Sequence, residues 1–210
     1  MNWIERLYEI NNKDLYSQGG EGLILEYIAH SINPGQSHYI VDIGGGDGFN
    51  LSNSMHLYNL GWQRFIFDIE NGKRIDAENV VDWLRPTFGV AAYPFLSIDI
   101  DGNDYWILDK ILSVFKYTAV VAEFNAMYTD SRTIAYNPDH EWAGDSYYGF
   151  TFEAGKKLAE KHGYKVIFQL ADMNMFMVRA DLIEGLTFPE VTYKQNDFFK
   201  LSTRTDWATI

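Results

Sequence analysis

Tyr39-Ile40-Val41-Asp42-Ile43-Gly44-Gly45-Gly46-Asp47-Gly48 is the stretch whose reading decides the fold. An apolar run of strand length passes directly into a glycine-rich turn. Glycines 44, 46 and 48 fit the pattern Asp-x-Gly-x-Gly-x-Gly. Glycine is the residue that tolerates a tightly folded or left-handed backbone, and its missing Cβ lets a ligand lie against the peptide planes. A helix is expected to follow, starting at Asn50 or Ser52 and running through Leu51, Met55 and Leu57. Its first N–H groups would favour a ligand carboxylate or phosphate. An acid in the position of Asp42 holds hydroxyls or an amino group.

The type of nucleotide follows from spacing. The dinucleotide pattern Gly-x-Gly-x-x-Gly needs a glycine at position 49, which is Phe49. The phosphate-loop pattern needs Gly-Lys-Ser/Thr, and no lysine stands here. The spacing resembles motif I of class I S-adenosylmethionine-dependent methyltransferases. Such a site needs a second acid, after the next strand, for the ribose hydroxyls. Gly61-Trp62-Gln63-Arg64-Phe65-Ile66-Phe67-Asp68-Ile69-Glu70 supplies Asp68 or Glu70.

Composition narrows the class. The 210 residues are 47% hydrophobic and 16% aromatic, which suits one globular domain. A net charge of −12 argues against nucleic acid or an anionic membrane as partner. The absence of cysteine excludes disulfides and thiolate chemistry. Charges near the start, at Glu5 and Arg6, interrupt where a signal peptide needs an apolar core. No apolar run approaches the ~20 residues of a membrane span. The expectation is a cytoplasmic protein acting on a small molecule.

Taken in order, residues 1–36 predict two helices, one over Trp3 to Ile10 and one carrying Leu23, Ile24, Tyr27, Ile28 and Ile32. Between them, Ser17-Gln18-Gly19-Gly20-Glu21 either folds over a ligand pocket or caps the second helix. Residues 37–181 predict a doubly wound, Rossmann-like α/β core. Its strands lie over Tyr39 to Ile43, Arg64 to Asp68, Pro94 to Gly102 with acids at its end, and Ala119 to Phe124, and an antiparallel hairpin over Tyr164 to Leu170 and Met173 to Val178 closes it. A helix starts at Asn103 or Asp104, and another runs from Thr151 to Lys161 with Gly163 as its C-cap. Between Asn71 and Tyr93 there is too little chain for a helix, a strand and a second helix. One short strand near Arg74 to Asp76 and one helix through Val80 and Leu84 fit, so the sheet edge is expected to be trimmed. Residues 182–210 show no periodicity and are expected to wrap the surface of a single domain.

The whole pattern resembles the FkbM-type branch of class I methyltransferases, from about Ser17 to Leu182. Its carriers are the Ser17-to-Glu21 turn, the Val41-to-Gly48 motif, Leu51-Ser52-Asn53-Ser54, Gly61-Trp62, and Glu123-Phe124-Asn125. Trp142 with Ser146-Tyr147-Tyr148-Gly149 and the Asn174-to-Leu182 stretch join them. The most specific is Leu96-Ser97-Ile98-Asp99-Ile100-Asp101-Gly102-Asn103-Asp104-Tyr105. The resemblance implies a mostly parallel methyltransferase sheet, bound S-adenosylmethionine, and O-methylation of a sugar or secondary metabolite. The family has a fuller helix and strand after the second-strand acid, which helps hold the adenine, and this chain is short there.

The expected donor contacts are Ser17, Gln18, Glu21, Asp42, Gly44, Gly46, Gly48, Asp68, Glu70 and Asp99. Methyl transfer to a hydroxyl needs alignment and a proton acceptor. The candidates are Asp99, Asp101, Glu123 and His140. Strand alternation would put Asp99 and Asp101 on one face. Asp99, Asp101 and Glu123, with Asn125 beside them, offer oxygen ligands to a divalent cation such as magnesium. Alternatively Asp101 caps the following helix and Glu123 bonds loop backbone. Tyr128, Tyr136, Trp142, Tyr147 and Tyr148 are candidates for an acceptor wall. Two other functions fit the same residues: a binding protein on a degenerate methyltransferase scaffold, and a metal-dependent enzyme that uses the carboxylates without a methyl donor.

Overall fold

The computed structural model describes residues 1–10, 14–33, 35–36, 38–69, 72–88 and 93–210. Four strands run parallel: β1 (His38–Ile43), β2 (Gln63–Phe67), β3 (Tyr93–Ile98) and β4 (Ala119–Glu123). Two more, β6 (Tyr164–Leu170) and β7 (Asn174–Arg179), form an antiparallel pair that joins the sheet through β7 and β4. The six-stranded order is β2-β1-β3-β4-β7-β6. The closing hairpin, the Gly163 C-cap at φ +80° and the mostly parallel α/β sheet are as expected from the sequence.

Alternation along the strands builds two cores, one on each side of the sheet. Tyr39, Val41 and Ile43 of β1 point to one side, with Leu96, Ile98, Val120 and Ala122. Helices α4 (Val80–Leu84), α5 (Asp104–Val114) and α6 (Phe152–His162) cover them. Ile40, Phe95, Ala119 and Val121 point to the other side, under α1 (Trp3–Leu7), α2 (Glu21–Ile32) and α3 (Met55–Asn59). A strand buried on both faces reads as a continuous apolar run, and Tyr39 to Ile43 does so apart from Asp42.

Chain order fixes where a ligand can sit. From β1 the chain moves outward to β2, then returns to the other side of β1 to form β3. The crevice beyond the carboxyl ends of β1 and β3 is the topological switch point, where open α/β sheets bind ligands. Backbone bonds clamp these ends together: Gly44 N–H donates to Phe67 O at 2.9 Å, and Asp99 N–H to Ile43 O at 3.0 Å.

Among the described residues no strand pairs with the outer side of β2, so the sheet edge is trimmed there. The short strand expected over Arg74 to Asp76 does not form. Lys73 Nζ instead donates to Ile66 O at 3.1 Å, occupying a carbonyl on the strand that a partner strand would otherwise use.

Two expectations need correction. The helix after the glycine turn does not begin at Asn50 or Ser52. Leu51 is left-handed at φ +56°, and α3 begins only at Met55 and is five residues long. The cause is Asp42, whose buried carboxylate draws in the hydroxyls of Ser52 and Ser54 and holds this stretch in turns. The tail is not merely a surface wrap either. Its last strand, β8 (Trp207–Thr209), pairs antiparallel with β5 (Arg132–Ile134) inside the loop that follows β4. Among the described residues no helix is long and apolar enough to cross a membrane.

Candidate functional site

Two cavities of about 420 Å³ each meet at the switch point. Gly44, Asp99, Asp101 and Trp142 line both and form the wall between them. The first runs toward β2. Asp68 lines it together with the apolar Ile43, Phe67, Ile75 and Ile100. The second opens on the other side, among Gln18, Gly46, Glu123, Met173 and Phe199.

Gly44 makes this junction possible. It sits at φ +87°, and a Cβ built there would stand 1.6 Å from the carbonyl oxygen of Asp99. Only glycine lets the turn after β1 rest against the turn after β3. Gly46 N–H donates to Asp68 Oδ2 at 2.9 Å, so the second-strand acid holds the glycine turn while facing the first cavity. Gly48 lines neither cavity. Its carbonyl accepts from Arg64 Nη1 at 2.6 Å, beneath the turn.

Several expected ligand contacts line neither cavity and bond within the protein. Asp42 is buried, lines neither cavity and accepts from Ser52 and Ser54. Burial pushes its carboxyl pKa up, against the hydroxyls, which lower it. Ser17 Oγ accepts from the N–H groups of Gly20 and Glu21 at 3.0 Å and caps α2. The fully buried Glu21 accepts from Gly19 N–H at 2.9 Å and from Asn174 Nδ2 at 2.9 Å, tying α2 to β7. Of that turn Gln18 alone lines either of these two cavities. Asn125 is also spent: its amide donates to the Ser146 and Tyr148 carbonyls at 3.0 and 3.1 Å and accepts from Met127 N–H at 3.0 Å. Glu70 lies outside the described residues.

The acids after β3 and β4 behave differently. Asp104 accepts from Ile100 N–H at 2.9 Å and Gly102 N–H at 2.8 Å, and so organises its turn. It does the structural work that Asp101 was an alternative for. Asp99 and Asp101 come together through this turn, not through strand alternation. β3 ends at Ile98, and Asp101 is left-handed at φ +53°. Carboxylate oxygens of Asp99, Asp101 and Glu123 lie within 4.8 Å of one another. Glu123 is 7% exposed, and its Oε2 has no hydrogen-bond partner among the described residues.

Crowding shows in their acidity. Burial, then the charges of Asp104 and Asp101, hold Asp99 well above the usual carboxylate range. Burial, then Asp99 and Asp101, do the same to Glu123. Asp101 is pushed up to about 6 by burial and by Asp104. Tyr148, buried against the cluster, has its phenol pKa raised by burial and then by the Glu123 and Asp101 charges.

His140 lines the first cavity, beside Gly102, and burial lowers its imidazole pKa. The loop that carries it is latched across the trimmed edge by Arg74, which donates to Pro138 O at 2.7 Å and His140 O at 3.4 Å. Of the expected aromatic wall, Trp142 lines both cavities. Tyr148 is buried against it, Tyr147 is buried against His140 and Trp207, and Tyr128 and Tyr136 line neither cavity. Phe199 and Arg74 line the candidate site, and sequence reasoning missed them. Phe199 packs edge-on to Trp142 at 5.0 Å and to Tyr148 at 5.6 Å, from a tail with no periodic signal. No family model matches the chain, and no curated protein matches it either.

Proposed function

We propose that the protein is an S-adenosylmethionine-dependent methyltransferase that acts on a hydroxyl of a small acceptor such as a sugar or secondary metabolite. The observation that carries this reading is the pair of cavities at the switch point, joined through Gly44, Asp99 and Asp101. A methyl donor and an acceptor need two such chambers, with reacting atoms meeting at the shared wall. In the first, Asp68 faces the ribose hydroxyls, while Phe67, Ile75 and Ile100 offer an apolar surface to the adenine. The loop latched by Arg74 closes the side where the sheet is trimmed. In the second, Trp142 and Phe199 give the acceptor an aromatic face opposite the carboxylates.

In this reading the acceptor oxygen attacks the methyl carbon in line with the departing sulfur. The carbon–sulfur bond breaks, the sulfonium becomes a thioether, and the hydroxyl proton leaves to the carboxylate group of Asp99, Asp101 and Glu123. A proton acceptor is most effective with a pKa near the working pH, and Asp101 at about 6 meets that requirement.

Calorimetric titration with S-adenosylmethionine and S-adenosylhomocysteine tests the reading. Both are expected to saturate one site per chain. Asp68→Asn, with its circular dichroism unchanged, is expected to weaken both by about tenfold or more, roughly the worth of one charged hydrogen bond to a hydroxyl pair. No saturable binding by the parent would sink the proposal, as would a variant that binds like the parent.

A further inference from the structure

We infer that the second cavity takes a small organic cation, and that the acceptor is an amino sugar or amino alcohol whose protonated amine stands beside the hydroxyl to be methylated. The cation site stands on the lining of the cavity, whereas the use of the hydroxyl rests on the methyl-transfer reading. The two chambers differ in charge. Lys73, Arg74 and His140 line the first. Asp47, Asp99, Asp101 and Glu123 line the second, and among the described residues no lysine, arginine or histidine does. A cleft walled by one sign of charge concentrates ligands of the opposite sign.

The state of Glu123 is a second, independent observation. Its side chain is 7% exposed, lines this cavity, and keeps Oε2 with no hydrogen-bond partner among the described residues. A buried acceptor without a donor is costly, and native structures rarely leave one uncompleted. The ligand must therefore bring donors, and spacing says which kind. One oxygen each from Asp99, Asp101 and Glu123 forms a triangle with sides of up to 4.8 Å. A group at its centre stands up to about 2.8 Å from each corner, the length of a charge-assisted N–H···O bond. A primary ammonium carries three N–H donors, one for each corner. Its charge also removes the opposition of the three carboxylates to one another's ionisation. Trp142 and Phe199 line the same cavity, with ring centres 5.0 Å apart, and aromatic faces attract organic cations. Each carboxylate spends one oxygen on the ammonium, which leaves the second oxygen of Asp101 for the hydroxyl proton. The two oxygens of one carboxylate lie close together, so the groups they hold sit on adjacent carbons.

Calorimetry on the whole chain tests this with glucosamine, glucose and N-acetylglucosamine as probes. Chelator is present throughout, at about pH 6.5, below the ~7.7–8.0 of an ordinary α-amino group. Glucosamine is expected to saturate one site per chain, about tenfold or more tighter than either neutral sugar. Glu123→Gln and Asp101→Asn should each cut that preference by about tenfold or more. Asp101 is only half-buried, so its variant keeps the test decisive if the Glu123 variant does not fold. Saturating S-adenosylhomocysteine should leave glucosamine binding intact. Glucosamine binding no tighter than glucose overturns the inference, and so does a parent-like preference in a folded Asp101→Asn. Displacement of glucosamine by S-adenosylhomocysteine also overturns it, since the carboxylates would then hold the donor's own amino group. Donor binding without a preference for glucosamine removes this inference alone. A preference for glucosamine without donor binding removes only the methyl-transfer reading.

Discussion

Two turns leave neighbouring strands at paired positions, Ile43 beside Ile98, and they use their acids in opposite ways. Around the glycine turn after β1, acids are tied into the turn. Asp47 accepts from Phe49 and Asn50 N–H at 2.8 and 2.9 Å, Asp68 from Gly46 N–H, and Asp42 from two serines. In the turn after β3 only Asp104 is used this way. Asp99 and Asp101 face the cavities and meet Glu123 from β4. An acid that accepts backbone N–H groups builds a turn. An acid crowded against other acids costs stability and is kept where chemistry needs it. The first turn is therefore built on satisfied acids, and the second leaves two of its acids crowded and facing the cavities.

The sharpest way to break this comparison is Gly44→Ala. The added Cβ meets the Asp99 carbonyl at 1.6 Å, on a backbone at φ +87°. A loss of about 3–5 kcal/mol is expected, from overpacking plus the left-handed penalty. A urea unfolding midpoint equal to the parent's would show that the two turns are not in contact.

Asp104→Ala comes next. It strips the acceptor from the Ile100 and Gly102 N–H groups, and about 2–3 kcal/mol of stability should go with it. Ser54→Ala removes one hydroxyl from the buried Asp42 carboxylate, for an expected loss of about 1–2 kcal/mol. If either costs nothing in chemical denaturation, that acid is not the support described here.

The smallest effect has the opposite sign. With divalent ions chelated, Asp101→Asn should stabilise the protein at pH 7 by about 1 kcal/mol, since the side chain is partly solvent-screened. Asp101 has its folded pKa raised from 3.8 to about 6. Its contribution to stability is therefore full below about pH 4 and is lost as the pH rises through about 6. Melting curves across that window should fall more steeply for the parent than for the variant. Parallel curves would place Asp101 among the satisfied acids and erase the contrast between the turns.

Periodicity and capping determined much of this protein locally. The apolar run over Tyr39 to Ile43 is buried on both faces because each successive residue meets a different helix layer. The helix ended by Gly163, the hairpin around Ala171 and Asp172, and the trimmed edge after β2 also follow from short-range pattern or chain length. So does the gathering of Gly44, Asp68, Asp99 and Glu123 at strand ends, since parallel strands all present their carboxyl ends on one side.

What only the tertiary structure decided was the use of each acid. Asp42 and Glu21 read in the sequence as donor contacts, just as Asp99 does, and Asp104 only as a helix start. Whether a carboxylate meets Ser54, Asn174 or another carboxylate depends on contacts between distant segments. The same holds for β8 against β5, for Phe199 against Trp142, and for Arg74 holding the His140 loop. Each is a single pairing between remote parts of the chain, with no repeat to announce it. Local pattern carries the elements because backbone hydrogen bonding and burial act residue by residue. A site is assembled by packing, which brings side chains together without regard to their separation along the sequence.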